Sequence, residues 1–330
     1  MNPKIFVGVD ISKLTLDLAL LHGINTVRTF KIKNSEEEVK AFLKTIREEY
    51  KFKNYEIVFC AEDMGMFASF LSKVLIKHKI PVCFESALQI KKSLGIQRGK
   101  NDKIDSIRIV EYAKKNFQSL KVWEPPRQCL ERLKKLATIR KRLLKVRTML
   151  VNEEKLRTYY LGKDEIRDLN SCYGSSLASI NADIVKIEET MLSIIGSDQR
   201  LTTLMSLITS VPYVGNTIAL QVIISTNEFR NITSPKKFAS YCGVAPFEWS
   251  SGNSVTGRTK VSHFANKDIK ANLHLAAMSS VRSSTSSLKE YYLRKQAEGK
   301  NNMSILNAIR NKLISRIFAC VNSEKPFVEY

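Results

Sequence analysis

Asp10 closes the apolar run Ile5-Phe6-Val7-Gly8-Val9, and Glu62 closes the apolar run Ile57-Val58-Phe59-Cys60-Ala61. Each is a carboxylate leaving a segment of strand character, so each is either a turn former or a ligand. Asp102 and Asp105 stand three apart in a helical pattern, a spacing that puts both on one helix face. If the two strands pair as neighbours, Asp10 and Glu62 reach the same sheet edge, and all four carboxylates can converge on a hard cation that takes oxygen ligands. Two magnesium ions held about 3.5 to 4 Å apart would activate the attacking oxygen and stabilise the leaving one in phosphodiester chemistry. The plainer alternative gives Asp10 a turn, Glu62 a loop and Asp102 the N-cap of its helix. Glu85, Asp17 and Asp63 are nearby substitutes.

A second constellation lies in Phe247-Glu248-Trp249-Ser250-Ser251-Gly252-Asn253, followed by Gly257-Arg258-Thr259-Lys260. A serine beside glycine in a polar, basic loop can present its hydroxyl to a phosphodiester, and nucleophilic use requires a base, a metal or nearby cations to activate it. Without that activation the segment is a phosphate-contacting loop, and Arg258 and Lys260 suit phosphate in either case.

The elements that must position these residues follow from the apolar spacing. Residues 5–9, 16–21 and 27–32 read as a three-stranded meander. Ser35-Glu36-Glu37-Glu38 forms a capping box ahead of a helix with Val39, Phe42, Leu43 and Ile46 on one face. A buried strand at 57–61, a helix near 66–78, a short strand at 82–84 and a helix over 102–115 complete the order β-β-β-α-β-α-β-α. That order, a mixed sheet with covering helices and acids at three separate positions, fits a ribonuclease H-like α/β fold.

Trp123-Glu124-Pro125-Pro126 breaks any helix and marks a boundary. From Arg127 to Tyr160 the chain carries eleven basic and three acidic residues at roughly helical apolar spacing, and Arg140, Lys141, Arg142 and Lys145 are its candidate nucleic-acid contacts. A polar stretch at 170–176 separates it from a second periodic segment at 177–195, which suggests a helical hairpin or dimerising coiled coil. Helices at 201–209 and 216–224 flank Val211-Pro212-Tyr213-Val214-Gly215, either a plain turn or one of the helix-hairpin-helix kind that meets phosphate with backbone N–H groups. A helix opened by Ser234-Pro235 and ended near Gly243 follows. A polar loop at 246–263 then precedes two closing helices at about 267–296 and 303–321. Three regions result: 1–122 catalytic, 123–198 helical and oligomerising, 199–330 a mostly α-helical C-terminal domain with the serine loop.

The chain's 330 residues hold 53 Lys+Arg against 32 Asp+Glu, a formal net charge of +21 that calls for a polyanionic partner. Hydrophobic residues at 44% and charged residues at 26% belong to a folded chain, which excludes a disordered polycation. Six scattered cysteines and four histidines show neither CxxC nor HxxxH spacing, so a zinc site is not expected. Nothing resembles a signal peptide or a membrane span, and a reducing cytoplasm is the expected setting.

In chain order, Gly8-Val9-Asp10-Ile11-Ser12, Glu62, Asn101-Asp102-Lys103-Ile104-Asp105, Val211 to Gly215 and Gly243-Val244-Ala245-Pro246 to Ser251-Gly252 together resemble the DEDD transposases of insertion sequences of the IS-one-ten type, relatives of the Piv DNA invertase. The resemblance runs from residue 5 to about residue 275. It implies a RuvC-like N-terminal domain whose magnesium-binding acids are Asp10, Glu62, Asp102 and Asp105. It also implies a C-terminal domain whose serine, Ser251 or the adjacent Ser250, links covalently to DNA. Homo-oligomers acting on donor and target DNA under a structured guide RNA are implied too. The sequence departs from the pattern at Asn253, where relatives carry a second glycine, and at Ser262-His263-Phe264-Ala265-Asn266. Alternatives of other classes are a RuvC-like nuclease with no covalent step and a non-catalytic RNA or DNA chaperone. An actin-like sugar kinase is disfavoured because Ile11-Ser12-Lys13 lacks a glycine turn for phosphate.

Overall fold

The computed structural model describes residues 3–23, 26–93, 101–251, 255–262 and 264–329, with the side chains of 152–159, 163, 169–170, 248–251 and 255–260 excepted. The chain divides into two compact units, Met1–Pro125 and Pro126–Tyr330, at the paired prolines.

In the first unit β1 (Ile5–Ile11), β2 (Thr15–His22) and β3 (Thr26–Lys33) form the expected antiparallel meander, while β4 (Ile57–Glu62) and β5 (Val82–Glu85) join in parallel, giving the order β3-β2-β1-β4-β5. This five-stranded mixed sheet is the ribonuclease H-like arrangement. Strand alternation sorts its side chains into two faces. Val7, Val9, Leu16, Leu18, Ile57 and Phe59 pack with α1 (Glu36–Tyr50) and α2 (Ser69–Lys77). Phe6, Ala19, Leu21, Val58, Cys60 and Cys83 face the other way, against α4 (Asp102–Lys115) and Ile90 of the short α3 (Ala87–Ser93), a helix the sequence reading does not anticipate. Ser35 caps α1 by accepting from the Glu38 backbone N–H, as its capping-box pattern predicts.

The second unit is helical apart from one hairpin. Two long helices, α5 (Gln128–Tyr160) and α6 (Lys163–Gly196), lie against each other and turn at Leu161-Gly162. The separator expected at 170–176 is therefore helix. Asn, Ser and Gly each lower helix propensity by under about 1 kcal/mol relative to alanine, a penalty that packing along a neighbouring helix overrides. Leu130 and Leu133 of α5 and Met191, Ile194 and Ile195 of α6 share one core with α7 (Gln199–Thr209), α8 (Asn216–Thr226), α9 (Pro235–Tyr241), α10 (Lys267–Arg282), α11 (Ser287–Ala297) and α12 (Asn302–Ser323).

Two further expectations are corrected. The polar loop at 246–263 contains a β-hairpin, β6 (Pro246–Ser251) with β7 (Val255–Val261). The single helix expected over 267–296 is two, because Ser283 leaves helical backbone at the end of α10 and Ser286 caps α11 by accepting from Leu288 N–H. In the 211–215 turn the left-handed conformation falls on Tyr213, not on a glycine. Cys60, Cys83, Cys242 and Cys320 are buried free thiols, whereas Cys172 is exposed.

The second unit is braced by a buried ion cluster. Asn227, Glu228 and Phe229 run consecutively through left-handed backbone, a strained path for non-glycine residues. Glu228, only 1% exposed, receives Arg127 Nε at 3.0 Å on both carboxylate oxygens, while Arg127 Nη1 reaches Asp198 at 2.6 Å. Arg200 and Arg230 approach the same carboxylate at 3.5 and 3.8 Å. Arg127→Ala is expected to destabilise this unit by about 2 to 4 kcal/mol, since it strands a buried carboxylate with only the two more distant cations. Urea unfolding of the full chain measures it, and a loss under about 1 kcal/mol would show the cluster to be dispensable.

Candidate nuclease site

Parity along the strands gathers the acids. Asp10 lies on the same face of β1 as Phe6, Glu62 on the same face of β4 as Val58 and Cys60, and that face is the one α4 covers. Val9 pairs with Ala61 in the parallel register, so the next residues, Asp10 and Glu62, leave adjacent strands side by side. The N-terminus of α4 is brought to them by a close approach at Gly8. A Cβ there would lie under 3 Å from the Ser106 carbonyl oxygen and the Val110 nitrogen, both backbone atoms. Asn101, rather than Asp102, caps α4, accepting from Lys103 N–H at 3.0 Å. Asp102 and Asp105 thus occupy the first turn, where the helix dipole favours negative charge.

The four acids feel one another. Burial, then the negative charges of Asp102, Glu62, Asp105 and Asp17, push the Asp10 carboxyl up from its ordinary range to about 6. Asp105 also accepts from Arg108 Nη1 at 2.7 Å, one turn along α4, a partner the sequence reading passes over although the i,i+3 spacing was there to see. Of the three substitutes, Asp17 is buried opposite Asp10 and held by Lys31 at 3.1 Å. Asp63 makes a turn by accepting from Gly65 N–H, and Glu85 ends β5, where burial raises its carboxyl. A cleft of about 330 Å³ opens beside the acids, lined by Asp17, Lys31, Asn101, Lys103 and Ser106.

This all-oxygen, mutually repelling donor set fits a hard divalent cation, which would relieve the repulsion on Asp10. Among the described residues no three acids stand close enough to ligate one ion as they are, so ligation requires side-chain rotation, with Asp105 turning from Arg108.

In the second unit Ser251 ends β6, opposite Val255, and Ser250 precedes it, opposite Thr256. The side chains of both serines, and those of Arg258 and Lys260 on β7, lie outside the described residues, as do Gly252, Asn253 and Ser254 altogether. On α5 the four basic candidates divide: Arg140 is held by Glu188 at 2.6 Å and Lys141 is paired with Asp268, whereas Arg142 and Lys145 are exposed. Among the described residues no helix is long and apolar enough to cross a membrane.

Known proteins bear on both units. Residues 7–159 match the DEDD transposase family of IS110 elements, and residues 205–293 match the Transposase IS116/IS110/IS902 family. The pilin gene-inverting protein of Moraxella bovis is 23% identical over 331 residues, 98% of each chain, and that of Moraxella lacunata is 24% identical with the same coverage. An IS110 insertion element protein of Streptomyces coelicolor is 29% identical over 116 residues, 35% of this chain and 28% of its own. Thermus thermophilus RuvC, solved in complex with a Holliday junction substrate, is 14% identical across 36% of this chain and 99% of its own, with a TM-score of 0.28. The two family matches take in well over half of the sequence and meet in one kind of element, and the chain belongs to the IS110 family of DNA transposases and recombinases.

Proposed function

We propose that the chain is a site-specific DNA recombinase in which Asp10, Glu62, Asp102 and Asp105 hold magnesium and Ser251 is the nucleophile that links to DNA. The observation that carries this reading is the gathering of the acids on the α4 face of the sheet, close enough for three of them to raise the Asp10 carboxyl. Magnesium bound there supplies Lewis acidity toward a phosphodiester. The carboxylates orient it, and Lys31 and Lys103 beside the cleft suit the phosphates of the entering strand. Attack by the Ser251 hydroxyl forms a serine–phosphate bond and breaks a strand phosphodiester, its proton passing to a base. The released strand end carries the free hydroxyl that later reverses the step on a new partner.

A structured RNA as the selector of donor and target DNA fits a chain with a large basic surplus and no base-reading module. Arg142, Lys145, Arg258 and Lys260 are its proposed backbone contacts. Oligomerisation through the long hairpin is supported by exposed apolar residues at heptad spacing, Ile139 and Val146 on α5 and Val185 and Leu192 on α6.

The test incubates the purified full chain with magnesium, element-end DNA and the element's RNA, then looks for a protein–DNA adduct that survives denaturing electrophoresis. Adduct is expected from the wild type and from Ser250→Ala and absent from Ser251→Ala. Adduct lost only in Ser250→Ala moves the nucleophile by one residue. Adduct from both variants, or cleavage with none, would sink the serine step and favour metal-directed hydrolysis.

A further inference from the structure

Arg310 on α12 is a buried cation with no anion among the described residues. It is 5% exposed, and its guanidinium stays charged at any physiological pH. Elsewhere the structure gives half-buried arginines a carboxylate: Arg127 has Glu228 and Asp198, Arg108 has Asp105, Arg140 has Glu188. Among the described residues Arg310, more buried than these, meets only neutral groups, Asn307 Oδ1 at 3.3 Å and His274 Nδ1 at 2.9 Å, and its Nε has no hydrogen-bond partner. A charge so placed costs several kcal/mol unless something compensates it.

The groups around it are also donors. Arginine can only donate, so His274 accepts through Nδ1 and carries its proton on Nε2, which is then a donor. Burial and the neighbouring Arg310 charge hold the imidazole below its ordinary range, which keeps it neutral. Lys270, one turn before His274 on α10, is partly buried, and burial and then Arg310 hold its ammonium below the usual lysine range. Three donors from two helices, with no carboxylate beside them among the described residues, make a cradle for a tetrahedral oxyanion.

Its place in the fold gives the cradle a use. Asn307, which touches Arg310, donates from Nδ2 to the Val244 carbonyl at 2.8 Å. A Cβ on Gly243 would lie 3.8 Å from Lys270 Nζ and 3.4 Å from the Ser262 carbonyl oxygen, and would strike Ala265. Gly243 itself is left-handed, at φ +65°, a second reason for glycine there. Residues 243–244 enter the β6–β7 hairpin and Ser262 leaves it, so the cradle lies at the hairpin's foot.

We infer that Lys270, His274 and Arg310 form a phosphate site at the foot of the β6–β7 hairpin that takes one phosphodiester of the nucleic acid on which the hairpin acts. The identity of that ligand rests on the recombinase reading, whereas the affinity for phosphate does not. Holding one backbone phosphate at the foot fixes where the strand lies relative to the tip bearing Ser251.

Thermal unfolding of the full chain in inorganic phosphate, against chloride at equal ionic strength, tests the site alone. Phosphate stabilises proteins generally, so the quantity read is the rise in Tm of the wild type beyond that of Arg310→Met and Lys270→Gln. The wild type is expected to show an added, saturable rise that both variants lack. Equal rises in all three overturn the site, and Lys270→Gln, at a more exposed position, keeps the comparison available if Arg310→Met folds poorly. Salt titrations of binding then identify the source. Loss of one contact lowers the log–log slope by about 0.9 for duplex DNA or about 0.7 for single-stranded RNA. A fall with only one of the two assigns the phosphodiester to it, and unchanged slopes with both overturn the assignment. A wild type that gains Tm in phosphate but binds neither nucleic acid overturns the nucleic-acid ligand and the recombinase reading together, leaving a free-phosphate site.

Discussion

Asp10→Asn yields a protein that does not cut DNA and yet melts higher than the wild type. The sign follows from the raised carboxyl. A group whose folded pKa, about 6, exceeds its unfolded value of 3.8 favours the folded state fully below the lower value, and that contribution is lost as pH rises through about 6. At neutral pH without metal the ionised Asp10 therefore works against folding, and an amide of the same shape removes the repulsion from Asp102, Glu62 and Asp105. Allowing for solvent screening at this half-buried position, the gain is about 1 to 2 kcal/mol, or a few degrees in Tm for a unit of this size. Two further signatures follow. Wild-type stability should decline between about pH 4 and pH 6 with a component absent from Asp10→Asn, and magnesium should raise the wild-type Tm by mass action while leaving the variant's unchanged. Cleavage should drop by at least about 10³-fold if phosphodiester transfer depends on the metal. A variant that melts lower than wild type at pH 7.5 without metal would mean that Asp10 is a structural turn residue, as its position alone also allowed.

Gly8→Ala should be as damaging to activity as to stability, although the residue touches no substrate. The new methyl would meet three backbone atoms of α4, none of which can rotate aside. Overpacking of this kind costs typically 1 to 3 kcal/mol, and backbone partners place it at the upper end, about 3 kcal/mol. The helix relieves the clash by moving on the order of 1 Å, and it carries Asp102 and Asp105 with it. A misplacement of that size costs about 10²-fold in rate. Denaturant unfolding and single-turnover cleavage measure the two halves. If stability falls but the cleavage rate of the folded fraction holds, the close approach at Gly8 supports the sheet without setting the site.

How far the acid site could be read from sequence depended on where its information lay. Strand ends at Asp10 and Glu62 and the capped start of α4 are local patterns, and period-two alternation then fixes which face each side chain takes. The pairing of Asp105 with Arg108 is local too, yet which partner a carboxylate keeps depends on what else surrounds it. The β6–β7 hairpin hides because Pro246, the run Ser250 to Ser254 and Gly257 give the segment the composition of a loop although β7 holds Val255, Thr256, Thr259 and Val261, and its pairing, with a register shift between Phe247 and Trp249, is a tertiary choice. Helix α6 runs through Asn170, Gly174 and a set of serines because a neighbouring helix outweighs their propensity, and no window of sequence contains that neighbour. Arg310 offered no signal at all. One arginine among 53 basic residues is ordinary, and only the absence of a described carboxylate around it in three dimensions sets it apart.

Helices α5 and α6, of 33 and 34 residues, are each about 50 Å long at 1.5 Å per residue. Among the described side chains, the buried ones on them are Leu130 and Leu133 at the start of α5 and Ile184, Met191, Ile194 and Ile195 toward the end of α6. Mechanically the pair is a cantilever, fixed at its root by these residues and by the Lys141–Asp268 pair, with no buried side chain described between Leu133 and Ile184. Reach and stability are thereby separate properties of one element. Seven residues added to each helix beyond the root would lengthen the arm by about 10 Å, the rise of roughly three base pairs at 3.4 Å each, and would leave every core contact as it is. A lineage of such enzymes can retune the span of its arm without refolding the domain that bears it.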